Sequence, residues 1–124
     1  MKILLVEDSE KFRDKVIKIF NSKEREIDVL ISKNGVEGIQ MIKDNPDLKL
    51  AIVDFYMPQM DGMEMIRKLT DDNIKKPPIM FVTTEVSPNI REEGDKLGIE
   101  FWMLKPIIDD FFYDTVINII DKKE

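Results

Sequence analysis

Cysteine and histidine are both absent from the 124 residues of this sequence. The absence of cysteine excludes thiol nucleophiles, disulfides and thiolate metal sites. The absence of histidine excludes imidazole bases, serine–histidine–aspartate triads and histidine-ligated zinc. Any chemistry in this chain therefore depends on carboxylates, hydroxyl groups, lysine and metal ions that prefer oxygen ligands.

A membrane-spanning segment and an excess of positive charge are absent as well. No apolar run approaches the roughly 20 residues that a transmembrane helix needs, and Met1-Lys2 leads into a strand rather than into a signal peptide. We therefore expect a cytoplasmic protein without membrane insertion. The net charge of -6 disfavours nucleic-acid binding, because duplex binding requires lysine and arginine side chains that face the phosphates.

Five short apolar runs alternate with amphipathic segments along a chain whose length fits one domain, residues 1–124. The runs lie at residues 3–6, 27–31, 50–53, 79–82 and 101–104. Near-continuous aliphatic runs of this length are typical of strands in a parallel sheet that is covered on both faces. The alternation predicts a doubly wound α/β fold of five β-α units, with the flavodoxin-like strand order 2-1-3-4-5.

The intervening segments show helical spacing and helix caps. The first helix is predicted over residues 9–22, and Asn34 is predicted to cap the second. Three residues of the second helix are expected to face inward, namely Val36, Ile39 and Ile42. The fourth helix has the weakest apolar stripe, with only Ile90 and Leu97 at helical spacing. This pattern indicates a helix that is either mobile or presents a surface to a partner.

Ionisable residues follow three of the predicted strands. Glu7 and Asp8 follow the first strand, Asp54 follows the third and Lys105 follows the fifth. In a parallel sheet these strand ends lie along one edge, where open α/β folds bind their ligands. Three carboxylates at one edge repel each other unless a cation or a ligand neutralises them. The pattern therefore predicts a divalent metal site or a ligand that changes the charge of the cluster.

These strand endings resemble the receiver domain of two-component response regulators, in its stand-alone, chemotaxis-type form. The resemblance covers the chain from Lys2 to the last helix. It is carried by Glu7-Asp8, the segment 54–62, Thr83 and Lys105-Pro106. Each motif alone is a weak signal, whereas all four in order at the right strand ends are highly specific. The resemblance implies that Asp54 is a phosphoacceptor and that the Lys105-Pro106 peptide bond is cis.

The same resemblance implies Mg²⁺ as the cofactor. Its ligands would be Asp8, Asp54, the backbone carbonyl of Tyr56, and Glu7 acting through a bound water. This agrees with the chemistry of Mg²⁺, which prefers oxygen ligands and keeps several of its waters. Mg²⁺ and Lys105 would offset the repulsion between a carboxylate nucleophile and an anionic phosphoryl group.

The resemblance further implies a switch. The hydroxyl of Thr83 would bond the phosphoryl group and move inward, and the aromatic ring of Trp102 would turn into the vacated space. Tyrosine or phenylalanine is more usual at the latter position, and the bulk of Trp102 leaves open whether it turns fully inward. Tyr56 and Glu85 occupy two positions that tune the lifetime of the phosphoryl group in this family. We expect Tyr56 to slow hydrolysis by covering Asp54.

The function implied by the resemblance is that of a single-domain response regulator rather than an enzyme. Only self-phosphorylation and slow self-dephosphorylation are expected of it. Because the chain has no histidine, the phosphoryl donor is expected to be another molecule, a histidine kinase or a histidine phosphotransfer protein. We expect no output domain after the fifth helix, and we therefore expect the signal to reach an unidentified protein target through the surface of helix four, strand five and helix five.

Three alternatives have weaker support. A Mg²⁺-dependent phosphatase or phosphotransferase with an aspartyl-phosphate intermediate commonly needs a second aspartate two residues after the nucleophile, where this chain has Tyr56. A flavin or nucleotide binder of the flavodoxin type would lack a glycine-rich loop here, and Glu7-Asp8 would repel a phosphate. A receiver that acts as a scaffold without phosphorylation would not need the complete set of acidic, hydroxyl and lysine positions.

Overall fold

Five strands and five helices alternate along the chain in a computed structural model that describes residues 1–122. Residues 123 and 124 of the predicted domain lie outside the described part. The elements are β1 (Lys2–Val6), α1 (Glu10–Asn21), β2 (Asp28–Ser32), α2 (Gly35–Asp44), β3 (Ala51–Asp54), α3 (Gly62–Asp71), β4 (Ile79–Thr83), α4 (Pro88–Lys96), β5 (Phe101–Leu104) and α5 (Asp109–Ile120).

The five strands form one parallel sheet in the order β2-β1-β3-β4-β5, which confirms the predicted fold and topology. Val6 pairs with Val53, so the residues that follow β1 lie beside the end of β3. Asp54 pairs with Val82, which is the residue before Thr83. The carboxyl ends of the central strands therefore meet at a single edge of the sheet.

Side chains that alternate along the strands divide between two cores. Ile3 and Leu5 belong to a core that includes residues of α1 and α5. Leu4 and Val6 belong to the opposite core, which includes residues of α2 and α3. The sheet is thus covered on both faces, as its apolar runs predicted. Within residues 1–122, no helix has the length and apolarity needed to cross a membrane.

The start of α2 differs from the sequence-based expectation. Val36 was expected to face inward, but it is 63% exposed, whereas the other two predicted positions are partly or fully buried. Glycines form the buried side of this first turn, since Gly35 and Gly38 are the buried residues there. A Cβ atom on Gly38 would lie 2.9 Å from a methyl group of Val6. The helix therefore approaches β1 through glycine rather than through Val36.

Four of the five helices begin with a side chain that accepts a backbone N–H bond, as helix N-caps do. These residues are Ser9, Asn34, Asp61 and Ser87. The cap predicted at Asn34 is confirmed by a 2.9 Å bond from the amide of Glu37. Gly98, with a φ of 81°, follows the end of α4, and the Lys105–Pro106 peptide bond is cis.

Candidate functional site

Three carboxylates meet at the sheet edge. Carboxylate oxygens of Glu7, Asp8 and Asp54 all lie within 4.8 Å of one another. Glu7 is 1% exposed and Asp54 is 6% exposed, whereas Asp8 is open to solvent. Because β1 and β3 are neighbours in the sheet, the residues at their ends converge as the sequence predicted.

This crowding changes the acidity of Asp54. Its pKa is raised to about 7, first by burial and then by the hydrogen bond and negative charge of Glu7. The positive charge of Lys105 and the backbone N–H of Tyr56 oppose this rise in the pKa. Burial and a neighbouring negative charge both disfavour the ionised form of a carboxyl group, so the raised pKa is the expected result at this position.

Lys105 supplies the positive charge at this edge. Its Nζ donates a 3.0 Å hydrogen bond to Oε1 of Glu7 and lies 3.6 Å from Oδ1 of Asp54. The ammonium also lies 4.3 Å from the centre of the Phe12 ring. Lys105 is thus placed closer to Glu7 than to Asp54, the residue that the resemblance assigns as phosphoacceptor.

Thr83 occupies the end of β4 beside Asp54, and its side chain is buried. Its Oγ1 donates a 2.9 Å hydrogen bond to the backbone carbonyl of Glu85. The hydroxyl is therefore engaged by the loop that leads to α4. It would have to give up this bond to reach a group attached to Asp54.

Trp102 lies on β5 next to Phe81 and beneath α4. Its ring centroid is 5.1 Å from that of Phe81 and 6.3 Å from that of Phe55. A Cβ on Gly94 would overlap the indole, so α4 rests on this ring at a position that lacks a side chain. The indole Nε1 is buried and has no hydrogen-bond partner among the described residues. The indole thus already packs against the core. Any further inward turn of the ring, which the sequence left open, would start from this packed position.

Comparisons with known proteins give this arrangement a family. The family model described as the response regulator receiver domain matches residues 3–116. The chain belongs to the response regulator receiver family. It is 36% identical over 107 residues to the chemotaxis protein CheY1 of Helicobacter pylori, covering 86% of each protein. It is 34% identical over 107 residues to the chemotaxis protein CheY homolog of Campylobacter jejuni, covering 86% of this chain and 82% of that protein.

A solved structure shows the same similarity in three dimensions. The chemotaxis protein CheY4 of Vibrio cholerae superimposes on this receiver domain with a TM-score of 0.82 at 27% sequence identity. The match covers 95% of this chain and 97% of that one. The predicted family is confirmed. The roles of individual site residues are not tested by these similarities and remain predictions.

The acidic cluster of this receiver domain fits a hard divalent cation. Receiver domains generally use Mg²⁺, and the cluster offers only oxygen donors. Two of the three carboxylates are buried beside each other, and the pKa of Asp54 is raised by burial and then by the negative charge of Glu7, which a cation would neutralise. Glu7, Asp8 and Asp54 are therefore the residues that could hold the ion. The metal-ligand role of the Tyr56 carbonyl stays a prediction.

The side chain of Tyr56 stands at the mouth of the receiver site. It is 47% exposed, and its ring meets that of Phe55 edge to face at 4.9 Å. The amide of Tyr56 donates a 3.3 Å hydrogen bond to Oδ1 of Asp54. The position is therefore coupled to the acidic cluster through the backbone, and the shielding of Asp54 by the ring stays a prediction. Glu85 is also exposed.

Two residues near the receiver site were not assigned a role from the sequence. Phe12 lies one helical turn beyond Asp8, and the Lys105 ammonium lies over its ring. Gly94 lies inside α4, where glycine costs about 1 kcal/mol relative to alanine. A glycine within a helix was the available signal for close packing, and it went unused.

Proposed function

We propose that this receiver domain acts in a two-component phosphorelay in which Asp54 accepts a phosphoryl group from a phosphohistidine. The donor would be a histidine kinase or a histidine phosphotransfer protein. One observation carries the proposal: the Lys105 ammonium lies 3.6 Å from Asp54 at an acidic cluster whose oxygens lie within 4.8 Å of one another. An acid nucleophile, a metal-binding set and a cation are the parts that phosphoryl transfer requires.

In the proposed reaction, a carboxylate oxygen of Asp54 attacks phosphorus while the phosphorus–nitrogen bond of the donor breaks. The bonding electrons pass to the imidazole nitrogen, which takes up a proton, and an acyl phosphate forms on Asp54. Asp8, Asp54, the Tyr56 carbonyl and, through water, Glu7 would hold Mg²⁺, which would supply positive charge to offset the negative charge of the phosphoryl group. Lys105 neutralises a further oxygen, exchanging its bond to Glu7 for one to the phosphoryl group.

The proposed response begins at Thr83. Its hydroxyl leaves the carbonyl of Glu85 and bonds the new phosphoryl group, which pulls on the loop before α4. Trp102 packs between Phe81 of β4 and Gly94 of α4, so we expect a change at the end of β4 to reach the outer surface through the indole.

The proposed output surface comprises α4, β5 and α5. Three large apolar side chains on β5 and at the start of α5 are exposed there, namely Leu104, Ile108 and Phe111. Large apolar side chains left exposed on a surface favour contact with another protein. With its net charge of -6, we expect the domain to act on a protein target in the cytoplasm and not on nucleic acid.

Intact mass tests the phosphoacceptor directly. The protein is incubated with Mg²⁺ and phosphoramidate, which carries the same phosphorus–nitrogen bond as phosphohistidine. We expect one phosphoryl adduct in the wild type and none in Asp54→Asn. The control Asp71→Asn, at an exposed position at the end of α3, should form the adduct normally. No adduct in the wild type, or an adduct that persists in Asp54→Asn, would refute the proposal.

A further inference from the structure

The Lys105 ammonium has an aromatic neighbour besides its two carboxylates. Its Nζ lies 4.3 Å from the ring centre of Phe12, 3.0 Å from Glu7 and 3.6 Å from Asp54. A cation at this distance from a ring face is attracted by the negative face of the π system. The ammonium is therefore bounded by carboxylates and by the Phe12 ring.

Hydrogen bonds at the start of α1 position two of these neighbours, Glu7 and Phe12. Oε2 of Glu7 accepts the backbone N–H of Ser9 at 3.2 Å, and Oγ of Ser9 accepts the backbone N–H of Phe12 at 3.3 Å. Phe12 is half-buried and also packs against the core beneath α1. One short backbone segment thus fixes the Glu7 carboxylate and the Phe12 ring relative to each other.

We propose that Phe12 is a positioning residue for phosphoryl transfer to Asp54. Its ring confines the Lys105 ammonium to the edge of the acidic cluster, so that the ammonium exchanges Glu7 for a phosphoryl oxygen without swinging into solvent. A lysine side chain has a flexible four-carbon stem, and the ring removes conformations in which the charge lies far from the reaction. This inference rests on the proposed role of Asp54.

Ordinary core packing by Phe12 predicts different behaviour. Leucine at position 12 would retain apolar packing but would have no π face, whereas tyrosine would retain the ring. A packing role therefore makes leucine and tyrosine comparable. A positioning role separates them, because only the ring attracts the ammonium.

The test compares Phe12→Leu with Phe12→Tyr in the full chain. The rate of adduct formation with phosphoramidate is measured by intact mass at saturating Mg²⁺. We expect Phe12→Leu to slow the reaction roughly threefold to tenfold, in line with the strength of a partly buried cation–π contact. The Phe12→Tyr variant should react at the wild-type rate. Phe20→Leu, a change in the buried core of the same helix, should leave the rate unchanged.

A second readout reports on the contact itself. The ring current of Phe12 should shift the ε-methylene proton resonances of Lys105 upfield, and this shift should vanish in Phe12→Leu but persist in Phe12→Tyr. A wild-type rate in Phe12→Leu, equal slowing by leucine and tyrosine, or an unshifted Lys105 resonance would each overturn the inference. If the wild type forms no adduct, the proposed function fails, while the resonance still reports whether the ring contacts the ammonium.

Discussion

The sheet edge that carries Asp54 and the helix α4 beside it are built in opposite ways. At the sheet edge, Glu7, Asp54 and Thr83 are all buried, and each follows or ends a strand of the core. In α4, the only buried residue is Gly94, and the helix rests on the indole of Trp102. The difference indicates that the chemistry is held on a rigid element, whereas the response is assigned to the least firmly packed helix.

The largest expected effect comes from the contact that joins these two regions. In Gly94→Ala, the new methyl group collides with the indole of Trp102, and such overpacking costs about 1–3 kcal/mol. In a Trp102→Phe background the smaller ring leaves room, and the alanine should instead stabilise α4 through its better helix propensity. Urea unfolding of the four proteins measures both effects. Equal destabilisation in the two backgrounds would contradict the contact.

The next effect concerns the crowded carboxylates at the sheet edge. Because the folded protein raises the pKa of Asp54 to about 7, protonation of Asp54 favours the folded state. Without Mg²⁺, this stabilisation should be present below about pH 4 and lost as the pH rises through about 7. We expect a loss on the order of 1–2 kcal/mol, which allows for screening by nearby water.

Unfolding in urea with a metal chelator measures this pH dependence. Asp54→Asn should remove most of the loss between pH 4 and 7, and Mg²⁺ should oppose it in the wild type. An Asn variant that loses stability as steeply as the wild type would show that Asp54 is not the group responsible.

A kinetic effect is expected at the mouth of the site. In Tyr56→Asn, the phosphorylated protein should lose its phosphoryl group roughly threefold to tenfold faster, equivalent to about 0.7–1.4 kcal/mol of barrier, because water reaches Asp54 more easily. Tyr56→Phe keeps the ring and should keep the wild-type lifetime. Decay of the adduct mass after removal of the donor measures the rate. An unchanged or slower decay in Tyr56→Asn would refute the shielding role.

The smallest effect concerns the ion pair that joins α3 to α4. Arg67 bonds Glu93 through two nitrogens, and its guanidinium holds the pKa of Glu93 below the usual value. Both side chains are exposed to solvent, so Arg67→Met should lower the stability only slightly, and less still at high salt. Amide hydrogen exchange should quicken in α4 but not in β4. Equal changes of the exchange rates in α4 and β4 would contradict the proposed difference between the two regions.

Sequence patterns predicted the sheet edge well because its geometry follows from strand direction alone. Once the strands were parallel, the residues after β1, β3, β4 and β5 had to converge. The exposure of Val36 was not predictable in this way, since it depends on glycines that let α2 approach β1. Two other features likewise depend on packing between distant segments. They are the contact of the Trp102 indole with Gly94 and the approach of Lys105 to Glu7 rather than to Asp54.

The central claim is that Asp54 carries the phosphoryl group, and chemical trapping tests it at the level of the residue. The protein is phosphorylated with phosphoramidate and Mg²⁺ and then treated with borohydride, which reduces an aspartyl phosphate to homoserine. Peptide sequencing by mass spectrometry locates the product. We predict homoserine at position 54 alone and none when Mg²⁺ is chelated. Homoserine at Asp8 or another aspartate, or its absence at position 54, would contradict the account.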